Sequence, residues 1–490
     1  MRAGTGATLD PAAGATGDPA AAVSTPGGAP DATLPAERLS VLEKVGYGLG
    51  DAAAGFVFQT MVIFQLAFYT DTFGITAAAA GTLFLVVRVF DAVFDPLMGV
   101  VADRTETRWG KFRPWVLWTA VPYGVMAVLT FTTPDLGPSG KLAYAYATYI
   151  LLMMVYSANN LPYSALSGVM TGNMAERTSL SQYRFVLAML SQFVIQTAAL
   201  PMVHALGGGD NARGYQLTMA VFGVLSVAFF AVTFATTKER VRPAPGQRSS
   251  IAQDFGDLTR NGPWLVMFAL TLVLFVTLAL RGGVMLYYFK YFVGREDLFS
   301  LFNGLGTGST IVGVLLSRRL AVRLGKRNLF MYGLYATAAC TAAFVLLPAS
   351  AIVPIVAAEM VRQFAYGFTI PLLWAMMGDV ADYSEWRNHR RATGVVFSAI
   401  VFALKAGLGV GGAIGGYVLS AYGYVPNVAQ SARALEGIRL SASLFPALGF
   451  LVSGLCLLFY RIDRDTEFRM SGELAARREQ FTHTPVPVVP

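Results

Sequence analysis

The chain has 490 residues, of which 55% are apolar and 13% charged, against roughly 25% charged in an ordinary soluble domain. Mean hydropathy is +0.53, and so much apolar surface in long blocks excludes a soluble enzyme, a disordered chain and a nucleic-acid module. The net charge of +8 then reads as a membrane-orientation signal carried by short loops.

In chain order, residues 1–38 are rich in Ala, Gly, Pro and Thr, lack the apolar stretch of a signal peptide, and read as a disordered leader. Apolar blocks follow at 45–69, 76–101, 114–134, 139–168, 181–207, 214–237, 262–293, 297–317, 329–347, 350–378, 393–424 and 440–461, each close to the about 20 residues that a membrane helix needs. The strict alternation of an outer-membrane barrel is missing. The polar stretch 238–261 divides the blocks six and six. The expected organisation is a bundle over 39–237, a central loop, a second bundle over 262–462 and a cytoplasmic tail over 463–490.

Alternate loops are basic. Arg104, Arg108, Lys111 and Arg113 follow the second block; Arg318, Arg319, Arg323, Lys326 and Arg327 follow the eighth. This asymmetry puts both termini in the cytoplasm. The halves also echo each other: RWGKFR (108–113) with RLGKRN (323–328), and LPYS (161–164) with IPLL (370–373). The expected fold is an all-α membrane protein of twelve transmembrane helices in two pseudo-symmetric six-helix bundles, the major-facilitator plan, with a substrate site between them. Cys340, Cys456 and three scattered histidines offer neither a disulfide framework nor a metal-ligand motif.

An ionisable residue inside a bilayer costs at least ~2.5–3.5 kcal/mol, so each one calls for a role. Arg88, Asp91 and Asp95 recur at i, i+3 and i+7 and share one helix face. Two carboxylates beside one arginine leave an acid in surplus, which suits a coupling cation, sodium or proton; the alternative is a structural Arg–Asp pair. Asp51 (in YGLGDAAAG), Arg184 (in SQYRF) and Arg281 (in LALRGG) are further candidates for a cavity, Asp51 equally for a structural ion pair. Lys405, among glycines that permit close helix packing, is expected to pair with an acid of the other half. Tyr156, Tyr163, Tyr287 and Trp374 are candidate platforms for the C–H faces of a sugar, and RWGKFRP reads as a gate element.

The stretch YTDTFGITAAAAGTLFLVVRVFDAVFDPLMGVVADRTETRWGKFRPW (69–115) resembles the glycoside–pentoside–hexuronide:cation symporters, the family of melibiose permease. The likeness continues through 159–185, 287–294, GDVADYSEW (378–386) and 424–439. It implies cation-coupled sugar uptake by alternating access in the inner membrane. The carrier would be a monomer among membrane lipid, with a small-molecule sugar as partner, no enzymatic activity, no cofactor beyond a coupling H+ or Na+, and no nucleic-acid partner. The resemblance further implies that Asp91, Asp95 and Ser157 form the cation site, with Tyr156, Arg184 and Lys405 near the sugar and Asp379, Asp382 and Arg391 in a cytoplasmic gate with Arg108 and Lys111.

Departures from the family pattern bear on the substrate. Phe94 stands where an asparagine often completes a sodium site. Gly55, Asn160 and Ser164 replace two aspartates and a tryptophan that read galactosides, with Asn160 kept as a candidate substrate contact. With two acids lost and Arg184, Lys405 and Arg281 kept, the cavity is expected to be more positive and to favour an anionic sugar such as a uronide. A lysolipid carrier and an uncoupled facilitator are the competing readings.

Overall fold

The structure, a computed structural model, describes residues 38–171, 174–240, 261–388, 393–463 and most of 465–474. Residues 1–37, 241–260 and 475–490 lie outside the described residues, and with them most of the expected leader, central loop and tail. Among the described residues the chain is helical throughout, as α1 (Val41–Ala67), α2 (Ala77–Arg104), α3 (Arg113–Thr130), α4 (Pro138–Met170), α5 (Met174–Gly207), α6 (Asn211–Thr236), α7 (Gly262–Tyr287), α8 (Phe299–Leu324), α9 (Lys326–Ala343), α10 (Ile352–Gly367), α11 (Thr369–Asn388), α12 (Thr393–Ala421), α13 (Ala432–Ala442) and α14 (Leu444–Cys456). The pairs α10–α11 and α13–α14 each make one broken span. Ten spans are long and uniformly apolar enough to cross a membrane, and α3 and α4, diluted by tyrosines, prolines and asparagines, bring the set to twelve. The last span begins at Ala432, earlier than the sequence suggests, because an amphipathic helix precedes its apolar part.

The two halves repeat local devices as well as helices. Helices α1 and α7 each run on into a six-residue π-helical turn, Phe68–Phe73 and Tyr288–Val293, closed by a left-handed glycine, Gly74 (φ 89°) and Gly294 (φ 72°). Such wide turns are rare and occur mostly at functional sites. The basic loops RWGKFR and RLGKRN likewise each turn on a glycine with positive φ, Gly110 and Gly325. Positive φ is open to glycine at no steric cost.

Helix α12 holds the halves together. Its glycines fall on two faces. Gly407 and Gly411 face α7 so closely that a Cβ would lie 2.7 Å from Leu272 O and 2.2 Å from Val276 O. Gly409, Gly412 and Gly416 face α2, where a Cβ would meet Arg88, Phe84 and Ala77 O. Lipid tails are as apolar as leucine, so helices in a bilayer associate through close backbone packing of this kind. The result is an antiparallel register in which positions 405, 409, 412 and 416 of α12 descend past 95, 88, 84 and 77 of α2. This seam fixes what α2 and α12 can present to each other at mid-membrane.

A side chain on the α7 face of α12 has nowhere to go. Gly411→Val is expected to lower stability by roughly 1–3 kcal/mol, the range for overpacking, and a thermal-shift measurement on detergent-solubilised protein checks it.

Candidate functional site

The α2 charges form two ion pairs, one of them with α12. Arg88 donates from Nη1 to Asp91 Oδ2 at 2.7 Å, and Lys405 donates from Nζ to Asp95 Oδ2 at 2.5 Å. The first pair lies within α2; the second crosses between the halves. Asp91 is buried, with Arg88, Lys405 and Asp95 as its charged neighbours. The surplus acid expected from α2 alone is therefore corrected: Lys405 arrives from the other half and the four groups balance. Asp95 Oδ1 and the fully buried Ser157 Oγ have no hydrogen-bond partner among the described residues. A buried polar atom left unpaired costs about 1–3 kcal/mol, so both oxygens have capacity for a proton, a cation or a bound hydroxyl.

A third pair stands nearby. Arg184 on α5 donates from Nη2 to Asp51 Oδ1 of α1 at 3.1 Å and lies over the Tyr163 ring, 5.4 Å from its centroid. Tyr163 in turn stacks on Tyr47 at 4.7 Å. Tyr156 stacks on Phe58 at 4.8 Å, while Lys405 Nζ sits 5.9 Å from its ring. The charges near Tyr156 are those of Asp51, Arg184, Arg88 and Asp91, so its ring connects the pairs. Gly55 faces Ser191 of α5, whose Oγ would lie 2.8 Å from a Cβ at position 55 and would have to turn aside for a larger residue. Asn160 and Ser164 are half-buried on α4. Neighbouring Asn159 is buried and donates to Thr119 Oγ1 at 2.7 Å. Trp374 on α11 meets Phe185 of α5 across the halves, with ring centroids 6.1 Å apart.

Two candidates fall elsewhere. Arg281, expected in the cavity, is 5% exposed and donates to Glu359 at 2.7 and 3.3 Å and to Ala442 O at 3.2 Å. Arg362 grips the same carboxylate from the other side, at 2.5 and 2.9 Å. Burial of such charges is tolerated only when they are paired and hydrogen-bonded, and this triad, internal to the second half, meets that condition. Tyr287, expected as a sugar platform, is used otherwise. Its hydroxyl lies 2.6 Å from Thr70 Oγ1 and its ring packs edge-on against Tyr424.

Tyr287 belongs to a latch at the end of the bundles away from the basic loops. The two π-helical turns point at each other there. Asp71, from the first, accepts from Lys290 Nζ at 2.5 Å, from Tyr291 at 2.7 Å, from Thr70 at 2.8 Å and from the Tyr424 hydroxyl. Asn427, a non-glycine residue with positive φ, accepts from Lys290 at 2.9 Å and donates to the Asp71 carbonyl at 2.5 Å. Lys290, Tyr291, Tyr424 and Asn427 all come from the second half, so this face closes around one first-half carboxylate. Sequence reasoning missed Asp71. Its signal is present: an acid just past the end of the first apolar block, at nearly the same place in its half as Lys290 in the other.

At the basic end each half closes on itself. Glu239 accepts from the backbone amides of Lys111, Phe112 and Arg113 at 2.8, 2.7 and 2.9 Å, and Arg108 stacks on its neighbour Trp109. In the second half Lys326 binds Asp379 at 2.8 Å and Glu467 at 2.7 Å. Of the expected gate, Lys111 is held through its backbone amide and Asp379 through its carboxylate, each by a partner in its own half. Asp382 is half-buried on α11, and Arg391 lies outside the described residues. Glu239 and Glu467 do not stand out in the sequence, although each follows the last helix of its half and returns to the basic loop.

Two bundles, a balanced set of charges between them and a polar latch at one end define a membrane carrier of the major-facilitator type. The sequence profile described as "MFS/sugar transport protein" matches residues 46–464. The chain is 40% identical over 442 residues to the "Putative glycoside/cation symporter YagG" of Escherichia coli (strain K12), covering 90% of this chain and 96% of that one. It is 37% identical over 444 residues to the "Isoprimeverose transporter" of Lactiplantibacillus pentosus, covering 89% and 92%. A crystal structure of a mutant form of the nucleoside transporter NupG shares the fold, with a TM-score of 0.62 at 14% identity over 86% of this chain and 100% of that one. The chain belongs to the MFS/sugar transport family, among the glycoside–pentoside–hexuronide:cation symporters, and works as a cation-coupled sugar symporter.

The latch makes a direct prediction. Spin labels at Asp135 and Ser350, exposed in the α3–α4 and α9–α10 loops, report the separation of the halves at the latched end. Asp71→Ala is expected to enlarge the minor long-distance population of the parent, because Lys290, Tyr291 and Tyr424 lose their common acceptor.

Proposed function

We propose that the chain is a proton-coupled importer of a neutral glycoside in the inner membrane, with both termini cytoplasmic and the latch on the periplasmic side. The Asp95–Lys405 pair between the halves carries this reading. A proton taken from outside neutralises Asp95 and leaves Lys405 without its acceptor. That loosens the tie between α2 and α12, and sugar binding beside Tyr156 then makes use of the freed cation. A ligand shifts a conformational equilibrium only by its differential affinity for the two states. Here the difference lies in whether Asp95 holds Lys405 or a proton.

Proton coupling is supported over sodium by Phe94, which packs against the apolar core and supplies no oxygen, and by Lys405, which already fills one side of Asp95. The lone Asp95 Oδ1 suffices for a proton.

Charge balance supports neutral cargo. Arg88, Arg184 and Lys405 are matched by Asp91, Asp51 and Asp95, and Arg281 is committed to Glu359. The positive excess expected of the cavity is thus not present while all three pairs are formed. Relatives are named for isoprimeverose and for a glucuronide, so family membership alone does not choose between the two classes. Hydroxyls exchanging with the Asp51–Arg184 pair, and a sugar face resting on Tyr156, give the recognition.

In proteoliposomes, an inside-alkaline pH gradient without sodium is expected to drive accumulation of a labelled neutral pentoside or β-glycoside. A sodium gradient at equal pH is expected to fail, and glucuronate or methyl glucuronide not to compete. Accumulation that needs sodium, or that takes only the acidic sugars, overturns the assignment. Asp95→Asn is expected to abolish accumulation against a gradient while sparing sugar exchange; full concentrative uptake by this variant contradicts the coupling role.

A further inference from the structure

The Arg88–Asp91 pair lies wholly on α2, yet its geometry is set by α12. The Arg88 side chain runs across the α12 backbone at Gly409. A Cβ at that position would lie 2.0 Å from Arg88 Cγ, 2.5 Å from Cδ and 2.7 Å from Nε. The obstructed atoms begin at the root of the side chain rather than its tip, so the guanidinium cannot give way while its stem stays put. Arg88 and Gly409 also line one narrow cleft with Phe58, Met61 and Tyr149. Arg88 Nε is buried and has no partner among the described residues, while Nη1 donates to Asp91 and the guanidinium also hydrogen-bonds the Tyr149 side chain.

We propose that Gly409 is a positioning residue that makes the Arg88–Asp91 pair conditional on the closed α2–α12 seam, so that Asp91 is internally neutralised while the halves are latched and is released when they part. The inference rests on the reading of the α2 carboxylates as the coupling site and adds its state dependence. Lys405 and Gly409 are one helical turn apart on the same face of α12. One movement of this helix therefore withdraws Lys405 from Asp95 and removes the floor beneath Arg88. Both carboxylates gain affinity for a positive guest together, on the side where the seam opens. In the latched state both are occupied by the protein's own cations, which favours discharge of the guest. The other α12 glycines on this face meet no charged side chain among the described residues: Gly412 meets Phe84, and Gly416 meets the backbone of Ala77 and Gly81.

The test is a double-mutant cycle read by spin-label distances between positions 135 and 350 in the full-length carrier, without sugar. Gly409→Ala is expected to raise the latch-open population severalfold. In an Arg88→Ala background, where the obstructed stem is gone, the same Gly409→Ala change is expected to leave the distribution where Arg88→Ala alone put it. An equal shift in both backgrounds would mean that the methyl group only wedges the helices apart, and would overturn the proposal; so would no shift in either. Gly412→Ala, on the same face but away from the charges, is the packing control and is expected to shift the population equally with and without Arg88. Because the cycle reads conformation rather than transport, it stands apart from the coupling assignment, whose own failure would appear as intact concentrative uptake by Asp95→Asn.

Discussion

The structure depends on a close approach of two helices from opposite halves. The α12 glycines bring its backbone against α2 and α7, and only at that distance can Lys405 reach Asp95. Desolvating two charges costs several kcal/mol per ion, and their attraction compensates only in good geometry. An interface that packs tightly and carries its charges in matched pairs therefore has two well-defined arrangements, seated and parted, with few stable forms between them. Alternating access requires that property.

The latch and the mid-membrane pairs divide the task. Asp71 gathers four side-chain donors, three of them from the other half, and hydrogen bonds to a charged group contribute about 1.5–3 kcal/mol each. Such a cluster fixes which end is shut without taking part in selecting the cargo. The pairs at Asp91, Asp95 and Asp51 lie deeper, where a proton or a sugar hydroxyl competes directly with an internal cation. The basic loops are tied into their own halves by Glu239, and by Asp379 with Glu467, so each half can move as a unit.

Much of this is legible in the sequence. Asp91, Asp95, Lys405, Arg184 and Asp51 stand out because charge in an apolar block is expensive, and the glycine run beside Lys405 announces close packing. What the sequence leaves open is pairing. Arg281 looks like a cavity residue because Glu359 and Arg362, which enclose it, lie about 80 residues further along the chain, and nothing in the sequence ties them to it. The surplus acid on α2 vanishes once Lys405 comes from the other half, and the positive excess expected of the cavity shrinks once Arg281 is bound by Glu359. The π-helical turns carry no signature at helical periodicity, so Asp71 and Tyr287 become recognisable as a latch only when the two turns are face to face.

The most direct test of this account asks whether sugar binding protonates Asp95. Infrared difference spectra of the reconstituted carrier, recorded on adding a transported sugar at fixed pH, report the carbonyl stretch of a newly protonated carboxyl group. The account predicts one such band, absent in Asp95→Asn. A spectrum in which sugar binds with no change in carboxyl protonation, or one whose band persists in that variant, would contradict it.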